Sequence, residues 1–127
     1  MQTMVIVKER WTSFLRLVRR MVVDRPVLVE VEGLDLGDQE AGRQVQLRGV
    51  EYETKGSQRG DILLLLGTDQ EREDHRVPQP EHMHILVNDA AQLECLELED
   101  GEGRKTLIYF KQLLALPYSS EDAQAPS

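Results

Sequence analysis

Cysteine is nearly missing from this chain. Cys95 stands alone, so no disulfide can close within the molecule and no thiolate cage can hold zinc. A single thiol fits a reducing compartment, and the expected localisation is cytoplasmic. Aromatic residues make up only 5% of the 127 residues, which leaves few rings on which nucleic-acid bases could stack. Long apolar runs are lacking too. The longest, Ile62 to Leu66, is far short of a bilayer span, and Met4 to Val7 has neither the length nor the basic lead of a secretion signal. Basic residues are in deficit, 15 against 23 acids. The resulting net charge of −8 argues against DNA, general RNA or anionic membranes as partners.

Catalytic signatures are also wanting. There is no Gly-x-Ser-x-Gly elbow, and Ser13 and Ser57 have no special context. Gly101-Glu102-Gly103-Arg104-Lys105-Thr106 lacks the first glycine and the Gly-Lys adjacency of a phosphate-binding loop, and a strand rather than a helix follows it. The carboxylates Glu94, Glu97, Glu99, Asp100 and Glu102 do not follow the order of a calcium loop and read as a solvated strand face and turn.

What remains is an ordinary globular composition, 40% apolar and 30% charged, in a chain of one-domain length. Met4 to Val7 reads as a short β-branched strand. From Glu9 to Val22, Trp11, Phe14, Leu15, Leu17, Val18, Met21 and Val22 fill one arc of a helical wheel, while Arg16, Arg19 and Arg20 take the opposite side. Asp24-Arg25-Pro26 ends that helix. The period then changes to two. Strands are expected at Val27 to Glu32, Val45 to Tyr52, Asp61 to Leu66, Glu81 to Val87, Leu93 to Glu99 and Arg104 to Phe110. Gly49 sits where the apolar parity flips and predicts a β-bulge. Asp100 to Gly103 predicts a hairpin turn, Gly33 to Arg43 a polar connection, and Gln112 to Leu116 one helical turn.

The expected fold is α+β: one N-terminal amphipathic helix packed on a mainly antiparallel, curled five- to six-stranded sheet or small barrel. Residues 1–117 are expected to form the domain, and 118–127 a disordered polar tail. Trp11, Phe14, Val18 and Val22 are expected to dock on the sheet through Ile62, Leu64 and their neighbours.

Several of these residues, in this order, resemble a known family. They are Trp11-x-x-Phe14, Gly33-Leu34-Asp35-Leu36-Gly37-Asp38-Gln39, Leu47-Arg48-Gly49-Val50-Glu51-Tyr52, Lys55-Gly56, His75-Arg76-Val77, Pro80, Asp100-Gly101 and Thr106-Leu107. The chain resembles, over about residues 4–110, small bacterial proteins catalogued only as a domain of unknown function. The resemblance implies a small cytosolic bacterial domain and brings no activity, cofactor or catalytic residue with it.

Function is read from what few candidates exist. His82 and His84 stand at i and i+2, which on a strand puts two imidazoles on one face about 7 Å apart, within reach of one metal. His75, with Asp74 and Glu71, could supply a third ligand. No further ligand stands at a recognised spacing, so neither metal nor cofactor is expected and the histidines read as a solvated face. Asp74-His75 is no catalytic dyad, because neighbours along a strand point apart. Cys95 shares the parity of Leu93 and reads as inert packing. Residues 8–25 hold six basic side chains against two acids, a balance of +4 that leaves −12 elsewhere. Arg16, Arg19 and Arg20 are therefore the candidates for binding a protein partner or a second copy's acidic strands, with Leu113, Leu114 and Leu116 offering apolar area. The leading expectation is a non-catalytic binding or regulatory module, homodimeric. The alternatives are a ligand- or metal-binding barrel or enzyme using His75, His82 and His84, and a small RNA-binding barrel.

Overall fold

The computed structural model describes residues 1–22, 24–33 and 43–116. β1 (Gln2–Ile6) leads through a 3-10 turn (Lys8–Arg10) into helix α1 (Trp11–Met21). The rest is β: β2 (Arg25–Glu32), β3 (Arg43–Tyr52), β4 (Ile62–Leu66), β5 (His75–Val77), β6 (His82–Val87), β7 (Gln92–Glu99) and β8 (Lys105–Ala115). The eight strands form one sheet in the order β1-β6-β7-β8-β2-β3-β4-β5. Every pairing is antiparallel. Each chain-adjacent hairpin pairs in place, and β1 reaches across to β6. The sheet stays open, with β1 and β5 at its edges.

The bulge expected at Gly49 is there: the β3–β4 register shifts between Leu47 and Gly49, which lets both Leu47 and Val50 reach the core. The hairpin at Asp100 is also as expected. Its carboxylate accepts the backbone N–H groups of Glu102 and Arg104, and Gly103 takes φ +84°.

Two expectations are corrected. The strands number eight rather than five or six, because the N-terminal strand β1 joins the same sheet beside β6 and β5 forms inside the charged loop, pairing His75 with Leu64 and Val77 with Ile62. Gln112 to Leu116 is not a helical turn: β8 runs on to Ala115, and Leu114 and Ala115 pair with Leu93 and Gln92. A ladder partner on β7 satisfies that backbone and carries Leu114 into the core, where it is 1% exposed. The helix shares its core cluster with Ile62 and Leu64 as expected, and the strand it lies nearest is β3. β2 begins opposite Leu47, so the second half of β3 has no β2 partner, and the helix lies along it. The Gly33 to Arg43 connection (at 34–42), the boundary at 117/118 and the tail 118–127 lie outside the described residues.

The core occupies one face of the sheet. Trp11, Phe14, Leu15, Val18 and Val22 from the helix region meet Met4, Ile6, Leu47, Val50, Ile62, Leu64, Met83, Ile85, Leu96, Leu98 and Ile108. Trp11 ties β1, α1 and β3 together: its Nε1 donates to the Ile6 carbonyl at 2.7 Å, and its ring stands edge-on to Tyr52 at 5.4 Å.

One buried acid fastens the β4 end of the sheet. Asp61, 6% exposed, accepts hydrogen bonds from the Gln79 backbone (3.0 Å), the Gln79 side chain (2.8 Å) and Arg76 (3.3 Å). Burial pushes its carboxyl pKa up, but these donors outweigh burial and hold it below the usual 3.8. A lowered folded-state pKa stabilises the fold fully above the unfolded value and is lost as pH falls through the folded one. Asp61→Ala is expected to cost about 1–3 kcal/mol at pH 7. Urea midpoints should show this gap shrinking as pH falls below about 4, where Asp61 of the unfolded chain takes up a proton that the folded carboxylate resists. A gap unchanged at pH 3 would exclude the ionised role.

Candidate functional site

The face of the sheet turned away from α1 carries its own organised surface. Three rows of cross-strand neighbours cross it. The first is Thr3, Leu86, Cys95, Tyr109 and Leu28; the second is Val5, His84, Glu97, Leu107 and Glu30; the third is His82, Glu99, Lys105 and Glu32. Strand alternation puts all of these on one side. Cys95 (5% exposed) and Leu107 (7%) are buried here without belonging to the main core.

The arrangement depends on a register break. Between Leu93 and Cys95 the β7–β8 ladder jumps, so that Leu93 faces Leu114 while Cys95 faces Tyr109. Leu93 therefore enters the core and Cys95 the outer face, although their parity is the same. The expectation that Cys95 packs like Leu93 is corrected on this point. Its burial is correct, but its face is not.

A cavity of about 240 Å³ opens on this face, lined by Thr3, His84, Leu86, Cys95, Glu97, Leu107 and Tyr109 among others. That is below the roughly 300–1,000 Å³ of pockets that take drug-sized molecules. Its floor is apolar and one wall is acidic. Burial pushes the Cys95 thiol up to about 12, and Glu97, Glu30 and Glu32 add to the shift. Tyr109 is raised by burial as well, with Cys95 and the same carboxylates contributing. A thiol held protonated and 5% exposed is no nucleophile at neutral pH.

The histidines separate. His82 and His84 share the outer face, with ring centroids 6.3 Å apart. His75 is placed on β5 at the opposite edge of the sheet order and does not join them. Asp74 accepts from the Leu66 N–H and from Arg72. The neighbours that the sequence reading did not assign to the histidines are carboxylates. His84 lies opposite Glu97 and His82 opposite Glu99, and one ligand atom each from His84, Glu97 and Glu99 falls within 4.8 Å of the others. The expected solvated face is in fact half-buried at this point, with side-chain exposures of 26% for His84 and 24% for Glu97.

The arginines of α1 also separate. Arg19 lies 3.5 Å from Glu51 of its own chain, while Arg16 and Arg20 are exposed. Arg20 borders a larger cleft of about 580 Å³ with Met21, Asp24, Arg25, Pro26 and Gln112. Size alone does not make that cleft the better site. Arg25 is already engaged there by the Met21 carbonyl and Gln112, and Asp24 offsets the remaining charge. The outer face instead gathers Glu30, Glu32, Glu97 and Glu99 beside an apolar floor, with Lys105 between Glu32 and Glu99. Of the apolar area expected for self-association, Leu114 is buried in the core and Leu116 packs against it.

Among the described residues, no helix is long and apolar enough to cross a membrane. Comparison with known proteins matches residues 2–119 to the model of a family of unknown function, DUF5335, and the chain belongs to that family. No curated protein and no solved structure matches it.

Proposed function

We propose that this member of a family without assigned activity is a non-catalytic binding module whose working surface is the outer face of the sheet, and that its ligand is a small cation. The observation that carries this reading is the convergence of four carboxylates, Glu97, Glu99, Glu30 and Glu32, from β7 and β2, around the apolar patch of Leu107, Cys95 and Tyr109, against the one lysine, Lys105, that the three rows hold. Carboxylates beside low-dielectric walls focus a negative potential and raise the local concentration of cations. The protonated thiol supports the non-catalytic half of the reading, because the face then lacks its best nucleophile. The cavity volume favours an ion or a ligand of a few heavy atoms.

Calorimetric titration with zinc and with butylammonium, against inorganic phosphate as the anion, tests this. A cation is expected to bind and phosphate is not. Glu97→Gln should weaken cation binding at least tenfold, about 1.4 kcal/mol. Preferential binding of phosphate would contradict the reading.

Self-association is a second reading, and one observation favours it: β1 and β5 carry no strand on their outer sides among the described residues. A homodimer joined at such an edge is expected at micromolar concentration, weakened little by salt because main-chain hydrogen bonds would join it. Sedimentation equilibrium giving only a 14.5 kDa species across that range would exclude it.

A further inference from the structure

We propose that His84, Glu97 and Glu99 form a binding site for a first-row divalent transition-metal ion of the zinc class. This rests on the cation-binding reading above and names its ligand. Three features carry it.

The first is the donor set. One imidazole and two carboxylates come from two adjacent strands, with their ligand atoms within 4.8 Å of one another. Zinc accepts such mixed N/O sets with bonds of about 2.0–2.2 Å, which places neighbouring ligand atoms about 3.3 Å apart in a tetrahedral shell. The three atoms would have to close from their present spacing to that one by side-chain rotation.

The second is His84 itself. Its Nδ1 lies 3.0 Å from Glu97 Oε2. Even so, the atom is buried and makes no hydrogen bond. The carboxylate is close but off the line an N–H would take. A ring nitrogen and a carboxylate oxygen held side by side in this way have the relation of two ligands to one ion. A buried polar atom left without a partner otherwise costs about 1–3 kcal/mol.

The third is the surroundings. His82 stands opposite Glu99 with its ring 6.3 Å from that of His84, which makes it the neighbouring imidazole on the same face. Cavity and solvent on the open side leave room for water to complete the shell. Imidazole in the set selects zinc, cobalt, nickel or copper over calcium and magnesium, which prefer all-oxygen sites.

The test uses the full chain, stripped with a chelator and titrated calorimetrically with zinc, magnesium and butylammonium, with cobalt(II) absorption as a second readout. One zinc per chain is expected, with no heat from magnesium. Cobalt should give visible ligand-field bands without the intense near-ultraviolet band of a thiolate ligand, because Cys95 is not in the set. His84→Gln and Glu99→Gln should each weaken zinc more than about 100-fold, beyond what loss of an outer-shell partner costs. Unchanged urea midpoints of the metal-free variants would exclude misfolding as the cause. Zinc binding that is indifferent to His84→Gln and Glu99→Gln would overturn the site. So would the absence of zinc binding; if butylammonium then still bound with dependence on Glu97, the metal would be wrong and the cation-binding face right. Binding of neither would overturn both.

Discussion

Replacing Trp11 with alanine is expected to remove about 3–5 kcal/mol of folding stability, a large share of the roughly 5–15 kcal/mol that a domain has. The indole is 1% exposed and is the largest fully buried side chain. It fills the junction where β1 turns into the helix, touches Tyr52 on β3 edge-on, and lies 5.3 Å beneath the Lys8 ammonium. Truncation leaves a cavity that three elements border and that none can fill without moving. It also strands the Ile6 carbonyl, which accepts the indole N–H at 2.7 Å. Trp11→Phe separates the two effects. It keeps most of the ring packing and loses the hydrogen bond, so a cost of about 1–3 kcal/mol is expected. Urea unfolding of both variants gives the comparison. A loss below 1 kcal/mol for Trp11→Ala would mean that the helix is not anchored through this ring, since buried tryptophans cost several times that.

Leu114→Ala is expected to cost about 2–5 kcal/mol, and this tests the corrected end of β8. Leu114 is 1% exposed and sits opposite Leu93, itself fully buried. Ala115, its neighbour along the strand, points to solvent. Ala115→Ser should therefore stay within about 0.5 kcal/mol of wild type, as surface changes do. This contrast between adjacent positions is the signature of a strand with one buried face. Similar small losses at 114 and 115 would contradict the pairing with β7.

The helix at 11–21 was legible because seven apolar residues at helical spacing leave little choice of buried face. The bulge at Gly49 was legible because a parity flip at a glycine has few other causes. β5 was not, since His75-Arg76-Val77 is too short to show a period and only pairing with β4 makes it a strand. The end of β8 was hidden by the same irregularity that moved Cys95. β7 advances two residues from Leu93 to Cys95, while β8 advances five from Tyr109 to Leu114. No count of parity along either strand survives such a step.

The candidate site was half legible. The spacing of His82 and His84 places them on one face whatever their partners are. Pairing His84 with Glu97 needs the β6–β7 register, and a shift between Leu86 and Val87 defeats counting outward from the turn at Asn88. Sequence alone therefore groups the carboxylates with the hairpin at Asp100, as solvated charge, and not with the histidines. His75 drew attention as a third ligand only because it is close in sequence; the sheet order sends it to the far edge.

The outer face is tested most directly by a proton–nitrogen NMR titration of the full chain with zinc, which reads every backbone amide at once. Shifts are expected in β6 from His82 to Leu86, in β7 from Cys95 to Glu99, and in the facing part of β8 from Lys105 to Tyr109, with little change in α1 or β4. Shifts centred on His75 and β5, or on the Arg20 cleft, with β7 unmoved, would contradict a ligand-binding role for this face.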